Sequence, residues 1–135
     1  IFNMAKITSS IKKELYKVEI KSSSGNIVIA DEPTALGGKD LGFSPKELVA
    51  SASAACTSAT PRMYADCKGW ALADVTLEID ITRDAKENRT VHNRQVTAIG
   101  HLDETQKSRL LDIANLCPIH KMLTNPIEIN SQLVD

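Results

Sequence analysis

The fold of this chain is decided by a stretch that reads SPKELVASASAACTSATPRMYADCKG from Ser44 to Gly69. Ser44 can cap a helix, Pro45 suits the first helical position, and Glu47 is placed to close a capping box. Gly69 supplies the stop at the other end. The stretch therefore predicts one helix of about 23 residues, or roughly 34 Å at the usual rise.

Apolar residues on this helix recur at helical spacing and are mostly small. A small-residue stripe allows another backbone or a sheet to approach closely, so the helix is predicted to be central and buried. Pro61 lies inside it and removes the hydrogen bond to the carbonyl of Thr57, which predicts a kink. The stripe consists of Leu48, Ala52, Ala55, Cys56, Ala59 and Met63.

The segments around the helix read as strands and shorter helices. Strict alternation predicts a strand over Val75–Ile81, and Thr90–Leu102 is its expected hairpin partner, with a possible bulge. Two further strands are expected before the helix, over Tyr16–Ile20 and Ile27–Ile29. The loop that follows them, Leu36–Gly42, is rich in glycine.

Beyond the second hairpin, Asp103 is a good cap for a second helix, with Gln106 three residues on. Cys117 and Pro118 end that helix, and Pro118 can open a short third one. A last strand is expected over 127–133. This order of strands and helices predicts an α+β fold in one domain over 4–135, with residues 1–3 as an extraneous leader before Met4.

Composition narrows the function. The chain has 135 residues, a net charge of −1 and 4% aromatic residues, so neither nucleic acid nor an anionic membrane is an expected partner. Three cysteines are an odd number, which favours reduced thiols in the cytoplasm over a secreted disulfide framework. No secretory signal or membrane-spanning run is recognised.

Cys117 is the thiol with the best local environment. It lies at the predicted cap of the third helix, where free amides and the helix dipole favour a thiolate, and His120 and Lys121 can add positive charge. The alternative is a buried cysteine that happens to end a helix. One Cys-x-x-His pair supplies too few ligands for a structural zinc, so no metal is expected. His92 and His101 are predicted to lie on a strand surface.

Cys56 lies in the middle of the long helix, where no helix end activates it, so it can equally be a packing residue. Cys67 is about 16 Å further along the same helix, too far from Cys56 for a disulfide. If any two thiols act together, they are Cys56 and Cys117.

Two motifs resemble a known family. The segments Ser44–Thr57 and Arg62–Ala65 look like the central helix of the OsmC/Ohr proteins, the osmotically inducible and organic hydroperoxide resistance proteins. Asn115–Leu123, which reads NLCPIHKML, resembles their second cysteine motif, and Gly37–Asp40 also fits. The resemblance extends in order from about Leu15 to the end of the chain.

This resemblance implies an intertwined homodimer with antiparallel sheets wrapped around the long helices. It also implies a peroxiredoxin-like hydroperoxide reductase without a bound cofactor. Cys56 would attack an organic hydroperoxide and become a sulfenic acid, and Cys117 would close a disulfide with it. An external dithiol or lipoyl-type reductant would then reset the pair.

The resemblance also raises the question of the charges near the thiols. Nine residues put Glu47 and Cys56 on opposite faces of the helix, about 13.5 Å apart, so Glu47 could serve only the partner chain's thiol. Family peroxidases usually carry an arginine near the N-terminus, but the first arginine here is Arg62, which leaves Lys39 as a weaker substitute.

That departure keeps two alternatives open. One is a non-catalytic dimer that senses oxidants or binds an apolar ligand. The other is a structural domain with two unconnected cysteines. No role is assigned to Cys67.

Overall fold

The structure is a computed structural model that describes residues 4–134, so the expectation for residues 1–3 concerns residues outside this range. The chain forms two compact units that divide between Val49 and Ala50. The prediction of one domain over 4–135 stays a prediction. None of the helices in the described range is long and apolar enough to cross a membrane.

The N-terminal unit contains a three-stranded antiparallel sheet in the order β1-β2-β3, formed by β1 (Ile7–Ile11), β2 (Val18–Ser22) and β3 (Ile27–Ala30). The second and third strands match the prediction. The first was not predicted, because its sequence ITSSI offers only two strongly apolar residues and all five are exposed. A short 3₁₀ turn, Thr34–Leu36, follows the sheet.

Helix α1 (Pro45–Lys68) has the predicted start and end. Its capping box is complete, because the Glu47 amide donates to Ser44 Oγ at 3.2 Å and the Ser44 amide donates to Glu47 Oε1 at 3.0 Å. The helix continues through Pro61 without a break. The hydroxyl of Thr60 donates to the Cys56 carbonyl at 2.8 Å, one turn before that proline.

The buried face of α1 differs from the predicted one. The residues buried on it are Ser53, Thr57, Pro61 and Ala65. At 100° per residue they lie on the side of the helix opposite the predicted apolar stripe. Ala52, Ala55 and Met63 of that stripe are exposed, Met63 at 69%. The prediction was wrong for the single chain, since periodicity identifies an apolar face but not the neighbour that covers it.

The C-terminal unit has a long antiparallel hairpin of β4 (Ala71–Asp84) and β5 (Arg89–His101), as expected. A bulge falls between Leu72 and Asp74 of β4, the partner of the strand in which it was expected. Opposite the bulge is Gly100, where an added Cβ would lie 2.1 Å from the Ala71 carbonyl oxygen. Only glycine fits this close approach.

Two helices follow the hairpin, α2 (Glu104–Ala114) and α3 (Pro118–Thr124). The predicted capping box of α2 is present, formed by Asp103 and Gln106. A small core cluster of Ala65, Leu72 and Leu110 joins α1, the hairpin and α2. It is partly covered by Tyr64, Trp70, Val75, Ala98 and Leu102.

The predicted last strand is wrong. Residues after Asn125 form no strand in the described range, and Ile127, Ile129 and Leu133 are exposed. Alternating apolar residues there satisfy the strand pattern, but a strand also needs a neighbour for its hydrogen bonds, and no strand among residues 4–134 pairs with them. The α+β class itself is confirmed.

Candidate functional site

Cys117 is the centre of the candidate site. It is fully buried and is the N-cap of α3, as predicted, with extended backbone geometry. Its Sγ accepts a hydrogen bond from the His120 amide at 3.3 Å. The sulfur therefore satisfies one of the free amides in the first turn of the helix, where the helix dipole also favours negative charge.

Helix α1 brings two consecutive residues to this sulfur. Thr57 is fully buried, and its Oγ1 lies 3.7 Å from Cys117 Sγ. Cys56 is half-buried, and its thiol is close enough to Cys117 to hydrogen-bond with it. Sixty-one positions in sequence thus separate two neighbouring free thiols. Cys67, also free, is exposed at the end of α1.

An arginine of β5 is part of the same cluster and was not anticipated. Arg94 Nη1 donates to Thr57 Oγ1 at 2.7 Å. Its Nη2 is 2.8 Å from Asn115 Oδ1 and 3.1 Å from His120 Nδ1. The cluster therefore draws on α1, β5, the loop after α2, and α3.

The ring of His120 contacts Arg94. Guanidinium groups only donate hydrogen bonds, so His120 Nδ1 is the acceptor in this 3.1 Å contact. His120 thus contributes its amide to the sulfur and its ring to Arg94. The expected role of its ring as a positive charge beside the thiol stays a prediction.

His92 lies two residues before Arg94 on the same face of β5 and is half-buried, not on a surface as expected. Its Nε2 is buried without a hydrogen-bond partner among the described residues. Burial lowers the pKa of His92, and the charge of Arg94, and of His120 when protonated, lowers it further. His101 is exposed, as predicted.

The surroundings of Cys117 favour its thiolate. Burial raises the pKa of this thiol, because a charge is poorly solvated there. Hydrogen bonds from the His120 amide, Thr57 and Cys56, with the charge of Arg94, outweigh burial, so the pKa is lowered overall. Such a thiol is a candidate for nucleophilic and redox chemistry.

Lys39 and Glu47 belong to the N-terminal unit. The Lys39 amide donates to Asp31 Oδ2 at 3.2 Å, and Glu47 closes the capping box of α1. The hydrogen bonds from Ser44 lower the pKa of Glu47. Their predicted roles toward the thiols stay predictions.

Asp31 is a buried acid of that unit and was not among the predicted site residues. Its carboxylate accepts backbone hydrogen bonds from Tyr16 (3.0 Å), Glu32 (2.7 Å), Lys39 (3.2 Å) and Leu41 (3.1 Å). Burial raises its pKa, but these four bonds prevail and lower it. The glycine-rich loop is thus closed around a fixed negative charge.

Among residues 4–134, no group of three or more His, Cys, Asp and Glu side chains is arranged to hold a metal ion. The site contains a pair of thiols, one of them favoured as a thiolate, beside the half-buried guanidinium of Arg94. These are the requirements of thiol-based redox chemistry: a nucleophilic sulfur and a second sulfur within reach. The structure thus combines an α+β fold with two neighbouring cysteine thiols, which is an arrangement suited to thiol-based redox chemistry.

Comparison with protein families identifies the group. The family model described as OsmC-like protein matches residues 37–132, and the chain belongs to this family. The resemblance seen in the two cysteine motifs is therefore confirmed. A comparison with curated protein sequences finds no match.

Solved structures share the fold at low sequence identity. The OsmC-like protein from Mycoplasma pneumoniae superposes with a TM-score of 0.77 at 19% identity, over 91% of this chain and 89% of that chain. The organic hydroperoxide resistance protein OhrB of Bacillus subtilis gives 0.62 at 20%, over 90% and 91%. An organic hydroperoxide resistance protein OsmC from Legionella pneumophila gives 0.67 at 18%, over 92% and 91%. The OsmC-like fold is thereby confirmed.

Proposed function

We propose that the protein is a thiol peroxidase that reduces organic hydroperoxides with Cys56 and Cys117. The observation that carries the proposal is the contact between these two free thiols, one half-buried and one buried beside Arg94. Family membership supports the same chemistry, because relatives of this fold are named organic hydroperoxide resistance proteins.

Cys56 is the sulfur that attacks. Its side chain is half-buried and can meet a peroxide, whereas Cys117 is fully buried. The proposed reaction starts from the pair with one thiol and one thiolate, which exchange a single proton. When Cys56 is the thiolate, its sulfur bonds to the distal peroxide oxygen and the O–O bond breaks. Cys56 becomes a sulfenic acid, and the leaving alkoxide takes the proton of Cys117 and departs as an alcohol.

Cys117 then closes the cycle. Its thiolate attacks the Cys56 sulfur, the S–S bond forms, the S–O bond breaks, and hydroxide leaves and becomes water with a solvent proton. An external dithiol of the lipoyl type reduces the disulfide by two exchange steps, becoming a disulfide itself. No bound cofactor takes part, and the cytoplasm is the compartment that keeps such a pair reduced.

The functional unit in this proposal is a homodimer. Helix α1 is buried on one face only, and the opposite face exposes Ala52, Ala55 and Met63. A second copy that covers this face would shield its apolar side chains from water. In such a dimer the partner subunit's Glu47 is the carboxylate that could approach Cys56.

A second candidate function is non-catalytic ligand binding. A cavity of about 460 Å³ between the hairpin and α2 is lined by Val75, Val96, Ala98 and Leu110, with Pro61 at its side. Its size suits a small apolar ligand. Sustained turnover of many equivalents of peroxide per protein would decide against this alternative.

The test is stopped-flow consumption of cumene hydroperoxide with a dithiol reductant. Cys56→Ser should slow consumption by at least about 100-fold, since the nucleophile is lost. In a parallel run without the dithiol, Cys117→Ser should consume about one equivalent and stop at the sulfenic acid. Cys67→Ser, the matched control on the same helix, should behave as wild type. Unchanged consumption by Cys56→Ser would contradict the proposal.

A further inference from the structure

We propose that Arg94 is a positioning residue for the thiol pair. Arg94 acts through the Thr57 hydroxyl, and this contact stabilises negative charge on Cys117. The inference deepens the proposed peroxidase and rests on it for its catalytic meaning. It also places a cation beside the thiol pair on β5, in the chain's second hairpin, and not in the N-terminal segment, where family peroxidases usually carry an arginine.

The hydrogen-bond directions follow from the donors. Arg94 only donates, so Thr57 Oγ1 accepts from it at 2.7 Å. The single hydroxyl hydrogen of Thr57 is then available to Cys117 Sγ, 3.7 Å away. The geometry describes a relay in which the guanidinium polarises a buried hydroxyl and the hydroxyl donates to the sulfur.

The guanidinium is held in place by a hydroxyl, an amide and an imidazole. Its Nη2 donates to Asn115 Oδ1 and His120 Nδ1, so three acceptors from three elements fix its plane. None of the four ion pairs found among residues 4–134 includes Arg94. A thiolate at Cys117 is therefore the anion that complements this charge, and in a partly buried site such attraction is weakly screened.

This arrangement has a redox consequence. The reduced pair carries a negative charge that Arg94 stabilises, and disulfide formation removes that charge. Stabilising the reduced form makes a disulfide more readily reduced. Arg94 should therefore favour both the thiolate and its regeneration by the dithiol.

The experiment measures the thiols directly, without peroxide. The pH dependence of the ultraviolet absorbance of the Cys117 thiolate is recorded in a Cys56→Ser, Cys67→Ser background. The Cys56–Cys117 redox equilibrium is recorded with Cys67→Ser alone, against a dithiol buffer. Arg94→Gln and Arg94→Lys are compared with Arg89→Gln, a matched control at an exposed position of the same strand.

Arg94→Gln should reduce the thiolate population at neutral pH by about tenfold and shift the redox equilibrium toward the disulfide by a similar factor. Arg94→Lys should recover only part of both, because an ammonium cannot reproduce the planar fork. Thr57→Val should shift the pH profile in the same direction, whereas Thr57→Ser, which keeps the hydroxyl, should restore it. Arg89→Gln should change neither.

A pH profile and redox equilibrium that Arg94→Gln leaves unchanged would overturn the inference, even if the melting temperature fell. If Arg94→Gln does not fold, the Thr57 pair decides: equal profiles for Thr57→Val and Thr57→Ser would overturn the relay. The peroxidase proposal fails separately. A protein that consumes no peroxide, yet shifts its thiol profile with Arg94, would retain the relay and lose the peroxidase.

Discussion

Two buried acids, one in each unit, are stabilised as anions in different ways. Asp31 accepts four backbone hydrogen bonds, from donors that lie between Tyr16 and Leu41 in sequence. Cys117 accepts one backbone hydrogen bond, from His120, and its other hydrogen-bond partners are the side chains of Thr57 and Cys56. In both cases the donors outweigh burial, and the pKa is lowered.

The difference separates a structural charge from a reactive one. Backbone donors are fixed in position by the fold of the loop. Asp31 therefore holds this loop together, and each of its carboxylate oxygens accepts two amide hydrogen bonds. Close packing adds to this, since a Cβ on Gly38 would lie 2.0 Å from the Glu32 carbonyl oxygen. Side-chain donors such as Thr57 stabilise a charge without closing a loop. Cys117 Sγ, which is next to Thr57, also remains in contact with the second thiol, that of Cys56.

The comparison is tested most strongly by Asp31→Asn and Cys117→Ser. Asp31→Asn loses the charge and leaves buried amides poorly paired, so it should lower the melting temperature by many degrees. Cys117→Ser keeps a good helix cap and should change it by only a few degrees, while it abolishes disulfide formation. Thermal unfolding followed by circular dichroism checks both. A Cys117→Ser protein as unstable as Asp31→Asn would mean that both anions are structural.

The two acids should contribute to the free energy of unfolding over different pH ranges. The contribution of Asp31 should change in acid, and that of Cys117 should change at alkaline pH. The folded pKa of Asp31 is lowered, so its contribution is complete above its unfolded pKa of about 3.9 and is lost as pH falls through the folded value. The folded pKa of Cys117 is lowered from an unfolded value of about 8.5, so its contribution is complete only above that pH.

Urea unfolding of each variant against wild type, over a pH series, measures these contributions. The deficit of Asp31→Asn should shrink in acid, below about pH 4. The deficit of Cys117→Ser should grow from neutral pH toward about pH 9. A Cys117→Ser deficit that does not change over this interval would contradict a lowered thiol pKa.

The smallest loss of stability is expected for an exposed carboxylate that accepts a single amide hydrogen bond. Asp103 caps α2 and accepts only from the Gln106 amide, at 2.7 Å. Asp103→Ala should reduce the free energy of unfolding by about 1 kcal/mol, with Asp103→Ser as the control that keeps a cap. If Asp103→Ala lost as much free energy of unfolding as Asp31→Asn, the number of backbone donors would not determine how much each carboxylate stabilises the fold.

Local signals in the sequence predicted most of the elements. Ser44, Pro45 and Glu47 placed the start of α1, Asp103 and Gln106 that of α2, and both caps are present. These devices act within one turn of a helix, so a few neighbouring residues contain the whole cause. The cap at Cys117 was predictable for the same reason.

Features that depend on distant neighbours were harder. The predicted last strand does not form because no strand within the described part of the chain pairs with it, and the stripe on α1 is exposed because one chain does not cover it. Arg94 had a signal that was overlooked: it alternates with His92, Val96 and Ala98 on the inward face of β5. A charged residue on an inward face needs polar partners, and the sequence did not disclose that they come from α1, α3 and the loop before it.

In the proposed reaction the sulfur of Cys117 is a reactant, and in the structure it is also the hydrogen-bond acceptor that caps the first turn of α3. A thiolate is a strong acceptor, whereas a disulfide sulfur is neutral and a weak one. Oxidation to the disulfide should therefore weaken the hydrogen bond from the His120 amide to Cys117 Sγ, and reduction should strengthen it again. The exchange of that amide hydrogen with solvent becomes a gauge of the oxidation state, read at a single backbone position.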